Sequence, residues 1–299
     1  MTLADHPTVR WYRKTVPTLK KQPGTSSVAA DRIRHLARMA GADDCGVAHI
    51  NTPELAEEKQ GILSIYPDTQ TVISIVTRLN RENVRCVSRD VSDHEFRSGF
   101  DRSNHTASQL SVALVEEGIP ALSPSAGFPM DVSHWPGKMW KVSHKAAAVA
   151  AGMGHLGHNR LLIHPDFGNF IVLNTLLIDR AVSDYDTPLD YNPCIQCGLC
   201  VAACPTGAIA PDGSFCFLNC MVHNYRDRLG GFSDWIENVV QSKSKKAYRS
   251  KVTDTETVSM WQSLSYGICN KSSYCMAACP AGKNNIGEFL TDKKPIGKG

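Results

Sequence analysis

Nine of the eleven cysteines fall between Cys194 and Cys279; Cys45 and Cys86 stand apart in the N-terminal half. The run Pro193-Cys194-Ile-Gln-Cys197-Gly-Leu-Cys200-Val-Ala-Ala-Cys204-Pro205 has the spacing C-x2-C-x2-C-x3-C-P. Three thiolates so spaced can wrap three corners of an iron–sulfur cube, while the fourth turns away on a helix toward a different cluster. Zinc rarely uses four cysteines packed into so short a run. A secreted disulfide scaffold is usually shorter and spreads its cysteines more evenly. The layout therefore points to a reduced, cytoplasmic, metal-carrying protein.

A thiolate that turns away requires a second group of cysteines. Cys275-Met-Ala-Ala-Cys279-Pro280 repeats the C-x3-C-P ending. Counted back in the same frame, Cys269 takes the first position and Ser272 the second. Ferredoxin pairing assigns Cys194, Cys197, Cys200 and Cys279 to one 4Fe-4S cluster. The other takes Cys204, Cys275, Cys269 and one of Cys216 or Cys220, with Cys220 preferred. A serine does not readily replace a thiolate, so one of these two must fill the gap at Ser272. The remaining cysteine reads as a small buried apolar residue.

A two-cluster module moves electrons and selects no substrate, so the preceding residues should hold the acceptor. Gly152-Met-Gly154-His-Leu-Gly157 matches G-x-G-x-x-G. It follows a helix, whereas a dinucleotide fingerprint follows a strand and opens a helix. The glycines better suit close backbone approach to a large flat ligand, or plain turns. A reductive step also needs a proton. Asp131 and His134 are the candidates, within a segment rich in proline and tryptophan (residues 123–141), and His144 lies close behind.

The elements that must position these groups alternate between helix and strand. A helix capped by Ser26 or Ser27 should run to about Met39, with Ala29, Ile33, Leu36, Ala37 and Ala40 on one face and Gly41 ending it. Strands are expected over 45–50, 71–77 and 169–179, and a helix over 53–63. Asn104 should cap a helix burying Ala107, Leu110 and Leu114, and Ser143 a helix over 144–151. Residues 180–192 read as a linker, and helices should fall near 217–229, 232–242 and 255–265. The fold class is α+β, an α/β sandwich. It divides into a basic arm (1–27), an α/β domain (28–185), a ferredoxin-like two-cluster domain (186–290) and a basic tail (291–299). Trp11 and Tyr12 could anchor the arm.

Composition narrows the rest. Hydrophobic residues make up 42% and charged residues 20%, enough for a sizeable core. The net charge of +3 is too mild to mark a nucleic-acid binder. No apolar run reaches the ~18–20 residues of a membrane span, and no secretory signal opens the chain. The basic run Lys243, Lys245, Lys246, Arg249 and Lys251 reads as a solvated face, so tRNA is a less favoured partner.

Lys145-Ala-Ala-Ala-Val-Ala-Ala-Gly-Met-Gly-His-Leu-Gly-His-Asn159, then Leu161-Leu-Ile-His-Pro-Asp-Phe-Gly168, then a strand ending at Asp179 and the paired cysteine motifs, resembles the epoxyqueuosine reductase family and, more loosely, reductive dehalogenases. Ala42-Asp-Asp-Cys-Gly-Val-Ala48 is similar to that family's first strand. The resemblance implies a nitroreductase-like cobalamin-binding core joined to a ferredoxin-like domain. It implies a base-off corrinoid wrapped by Gly152, Gly154, Gly157, His158, Asn159, His164, Pro165 and Gly168. It also implies an external electron donor such as ferredoxin or flavodoxin, and a small-molecule or modified-nucleoside substrate that loses oxygen or halide. The rival readings are a carrier that supplies reduced cobalamin to a partner and a plain electron-transfer protein. Two positions depart from the family pattern: Met130-Asp131-Val-Ser-His134 replaces its Val-Asp-Ser-Ala-Pro stretch, and His158 stands where lysine is usual.

Overall fold

The computed structural model describes residues 2–15, 27–127, 140–225, 231–266 and 274–292. Strands β1 (Asp44–His49), β2 (Thr71–Arg78), β3 (Ala121–Leu122) and β6 (Ile171–Ile178) form one sheet in the order β1-β2-β6-β3, with every pair antiparallel. Successive strand residues point to opposite faces. Ile73 and Ile75 therefore enter one core, and Val72 and Val76 the other.

Helices α2 (Ala30–Ala40) and α5 (Arg89–Glu116) cover the first face with Ile33, Leu36, Leu110 and Leu114. Helices α3 (Lys59–Ile65) and α6 (His144–Ala150) cover the second with Ile62, Ala147, Ala148 and Ala150. Each large aliphatic side chain so buried contributes about 1.5–3 kcal/mol. The result is a helix–sheet–helix sandwich. Ser143 caps α6 by accepting from the Ala146 amide at 3.3 Å. A short hairpin of β4 (His155–Leu156) and β5 (Leu162–Ile163) leads from α6 toward β6.

Several local expectations give way to long-range partners. Helix α2 starts at Ala30, and its cap comes from far away: the Ala30 amide donates to Ser183 Oγ at 3.1 Å. Asn104 sits inside α5, which starts after Ser88. Its Oδ1 instead accepts from the Ala126 amide (2.9 Å) and Asn174 Nδ2 (3.0 Å). The helix expected over 53–63 splits into a 3-10 turn at Pro53–Leu55 and α3. Residues 180–192 are a bound strap rather than a loose linker. Asp186 accepts from the Val47 amide and from Arg34, both at 2.8 Å, and Val28 bridges Val182. The arm holds a helix, α1 (Pro7–Thr15), on which Trp11 and Tyr12 are exposed rather than packed onto the described sandwich.

Beyond the strap come α7 (Leu199–Ala202), α8 (Phe217–Tyr225), α9 (Gly231–Gln241), α10 (Lys245–Lys251), α11 (Asp254–Tyr266), α12 (Tyr274–Ala277) and α13 (Ile286–Asp292). Helix α4 (Arg81–Arg85), in the sandwich, faces α12. Among the described residues no helix is long and apolar enough to cross a membrane.

Candidate metal centre

Cys194 and Cys197 lie in the loop before α7, Cys200 on α7, and Cys279 just after α12. All four line one cavity, together with Ile163, Gln196, His158 and Asn159. Gln196 holds a left-handed φ of 53° between two of the thiols. Arg160, the other described non-glycine residue with positive φ, follows Asn159 directly. Such conformations cost about 1–3 kcal/mol each and persist where surrounding structure enforces them, often at functional sites. Burial pushes the Cys279 thiol up to about 11 and also raises Cys200, with the neighbouring thiols adding to both. Crowded, desolvated thiols give up their protons when a metal takes their place. No disulfide joins the described cysteines.

A second cavity is lined by Cys204, Cys220 and Cys275 with Asn159, Thr206, His223 and Tyr274. Burial, with Cys220 and Cys204 adding, pushes Cys275 up to about 12. Burial works to raise Cys204 too. Amide donors from Thr206, Ile209 and Ala208 and the Thr206 hydroxyl outweigh it and leave Cys204 lowered. Such donors to sulfur are one of the means by which proteins set cluster potentials. Cys216 is exposed and does not line this cavity; Cys220, one helical turn on along α8, does. Cys269 lies outside the described residues. Among those described, the first cavity gathers four thiols and the second three. No three described His, Cys, Asp or Glu side chains are close enough to hold a single metal ion. A cube, unlike a lone ion, spreads its thiolates over separate corners, and the donor chemistry of both cavities fits one.

The segment between α6 and β5 forms the wall between the cavities. Asn159, 5% exposed, lines both. Its Oδ1 accepts from the Leu161 amide at 3.1 Å and its Nδ2 reaches the Cys275 carbonyl at 3.4 Å. His158 Nε2 donates to the Ala210 carbonyl at 2.7 Å. A Cβ at Gly152 would stand 2.6 Å from the Thr187 carbonyl, and one at Gly157 2.8 Å from the Ile163 side chain. Gly154 has φ 150°, and a Cβ there would lie 2.2 Å from the Ile163 carbonyl, so only glycine fits.

The turn 164–168 fastens the returning cysteine segment. His164, 3% exposed, donates through Nε2 to Asp44 at 3.0 Å, and its Nδ1 accepts from the Asp166 amide at 3.1 Å, which fixes the tautomer. The Lys283 amide donates to the Pro165 carbonyl (2.8 Å) and the Asn284 amide to the Asp166 carbonyl (3.0 Å). Gly168 (φ 64°) packs backbone to backbone: a Cβ there would meet the Ala281 carbonyl at 2.1 Å. From α4, Arg85 donates to the carbonyls of Ala277 (3.2 Å) and Cys279 (3.4 Å), and both Arg81 and Arg85 pair with Glu288. The sandwich therefore seats the fourth thiol of the first cavity.

Helix α6 starts against β6. His144 has both ring nitrogens engaged, by Thr175 Oγ1 (2.8 Å) and the Ser125 carbonyl (3.0 Å). Burial lowers its pKa, so the ring is neutral. Lys145 is exposed to water, yet desolvation by the surrounding protein lowers its pKa, while Cys220 and Cys275 work to raise it. Its ammonium donates to the Arg160 carbonyl at 2.8 Å. Phe217, three residues before Cys220 on α8, meets Trp140 edge-on at 6.3 Å between ring centroids. Asp131 and His134 lie outside the described residues.

Residues 187–210 match the 4Fe-4S binding domain family. An epoxyqueuosine reductase of Lactococcus garvieae is 24% identical over 252 residues, covering 84% of this chain and 61% of that protein. An epoxyqueuosine reductase of Listeria monocytogenes is 38% identical over 117 residues, 39% of this chain and 29% of that one. A solved epoxyqueuosine reductase superposes with a TM-score of 0.52 at 16% identity, over 86% of this chain and 65% of that one. A reductive dehalogenase described for B12-dependent dehalogenation superposes with a TM-score of 0.54 at 16% identity, over 84% and 38%. The chain is similar to epoxyqueuosine reductases and to reductive dehalogenases. It shares their fold and carries a 4Fe-4S binding segment, while spanning 61% of the length of the Lactococcus protein.

Proposed function

We propose that this chain is an iron–sulfur oxidoreductase in which two 4Fe-4S clusters deliver electrons to a base-off corrinoid on a nitroreductase-like core. The carrying observation is the pair of thiol-lined cavities sharing one wall. Cys194, Cys197, Cys200 and Cys279 would hold the first cluster. Cys204, Cys220 and Cys275, joined by Cys269, would hold the second. Cys197 is exposed, which gives an external electron carrier an approach to the first.

A corrinoid, when bound, supplies reduced cobalt able to remove oxygen or halide from carbon. The chain's own residues prepare its place. Engagement of both His144 nitrogens withholds the nearby imidazole from a metal, in keeping with a base-off state. Asn159 lines both cavities and so joins them. Asp131 and His134 are the candidate proton donors, and the substrate is a small molecule or a modified nucleoside. Residues 28–185 form the cofactor core and 186–290 the cluster domain, in a reducing, cytoplasmic setting.

Anaerobic reconstitution tests this reading: about eight irons should bind per chain. Added hydroxocobalamin should shift to a base-off spectrum. About four irons, or an unchanged cobalamin spectrum, would sink it.

A further inference from the structure

Asn159 is 5% exposed and lines both thiol cavities. Backbone bonds close the turn that carries it: the Gly157 amide donates to the Leu161 carbonyl at 2.8 Å, and the Arg160 amide to the Gly157 carbonyl at 2.9 Å. Lys145 Nζ, from α6, holds the Arg160 carbonyl at 2.8 Å. The side chain is oriented within that turn. Its Oδ1 accepts from the Leu161 amide at 3.1 Å, which leaves Nδ2 3.4 Å from the carbonyl of Cys275, a residue whose thiol lines the second cavity. An amide nitrogen of this kind carries two hydrogens. The Cys275 carbonyl takes one, at more than an ordinary hydrogen-bond length, and among the described residues nothing takes the other. Buried donors are almost always satisfied. The acceptors of a filled second cavity are sulfurs, and one donor already stands there: Thr206 Oγ1 is 3.7 Å from Cys204 Sγ.

We infer that Asn159 tunes the second cluster: its Nδ2 donates a hydrogen bond to a sulfur of that cluster and favours the electron there over the first. This rests on the two-cluster reading above. The family resemblance gives Asn159 to a corrinoid, whereas its burial between two sets of thiols gives it to a cluster. In the step concerned one electron leaves the first cluster, reduced beforehand by the external carrier, and arrives at the oxidised second. No bond forms or breaks and no proton moves. A donor to sulfur stabilises the added negative charge, and hydrogen bonds to the sulfurs are among the determinants of a cluster's potential. Asn159 borders the first cavity too, but its donor end is held at a residue of the second, so the first cluster is the internal reference.

The test uses the reconstituted full chain, kept anaerobic, with the two clusters followed separately by electron paramagnetic resonance. In wild type whose asparagine side-chain amides carry the heavy nitrogen isotope, the reduced second cluster should show a hyperfine coupling to that nitrogen, and Asn159→Leu should abolish it. The same variant should lower the reduced-to-oxidised ratio of the second cluster about tenfold at fixed poise, ~59 mV for a one-electron couple, and leave the first unmoved. A residue that only held the turn would give no such coupling. Its absence from wild type overturns the inference whether or not the variant folds, as does a variant with both clusters intact and an unmoved ratio, or equal movement of both. The wild-type iron count is taken first. Only about four irons overturns the two-cluster reading and this inference with it, whereas about eight irons without the coupling overturns the role of Asn159 alone.

Discussion

The two cavities share Asn159 but are fastened in different ways. The first takes three thiols from one short motif and its fourth from a segment that the sandwich grips through Arg85, Pro165, Asp166 and Gly168. Among the described residues the second draws on Cys204 just after α7, on α8 and on α12. A cluster in the first cavity would tie the cysteine segment to the sandwich. A cluster in the second would mainly tie elements of the cysteine segment to one another.

The comparison can be broken most directly at the thiols. Cys279→Ala should cut bound iron from about eight to about four per chain, whereas Cys216→Ala should leave the count unchanged. Iron and sulfide determination checks both. Cys269→Ala should disturb the second cluster alone, so that its paramagnetic signal changes while that of the first persists. Equal disturbance of both would merge the two cavities into one cooperative unit.

A backbone substitution sharpens the contrast. Gly168→Ala forces a Cβ to within 2.1 Å of the Ala281 carbonyl at a φ of 64°. The expected cost is about 2–4 kcal/mol, read from the urea midpoint, with the first cluster lost earlier than the second during unfolding.

The smallest effect is a pH dependence at Asp44. Burial works to raise its pKa, but the His164 hydrogen bond and the Cys45 amide outweigh that and hold it below 3.8. A carboxylate lowered in the folded state stabilises above its unfolded pKa and loses that contribution as pH falls through the folded value. Asp44→Asn should therefore cost up to ~1 kcal/mol at neutral pH, a modest figure because the side chain is part-exposed, with the difference from wild type starting to shrink near pH 4 and disappearing as pH falls through the lowered folded value. Urea midpoints at several pH values check this.

Much of this was legible from the chain. The β-branched runs around Ile73 and Ile75 and the aliphatic run before Asp179 place the sheet, because strand periodicity and burial are local signals. The C-x2-C-x2-C run marks the first cavity, because its spacing alone brings three thiols together. Partners distant in sequence were not legible. Ser183 capping α2, Asn104 working from mid-helix and Asp186 binding the edge of β1 each depend on tertiary approach. The choice between Cys216 and Cys220 also needed the structure, since both lie one turn apart on the way into α8.

The backbone contact at Gly168 sets an order of events. A nascent chain that has exposed Cys194, Cys197 and Cys200 has not yet made the residue that encloses them. Its seat exists only once strands and helices from the opposite end of the polypeptide have come together. On the two-cluster reading, completion of the first cluster would await a folded host, timed by tertiary structure rather than by emergence of the motif. Damage that loosens the seat should bleach the protein before it unravels.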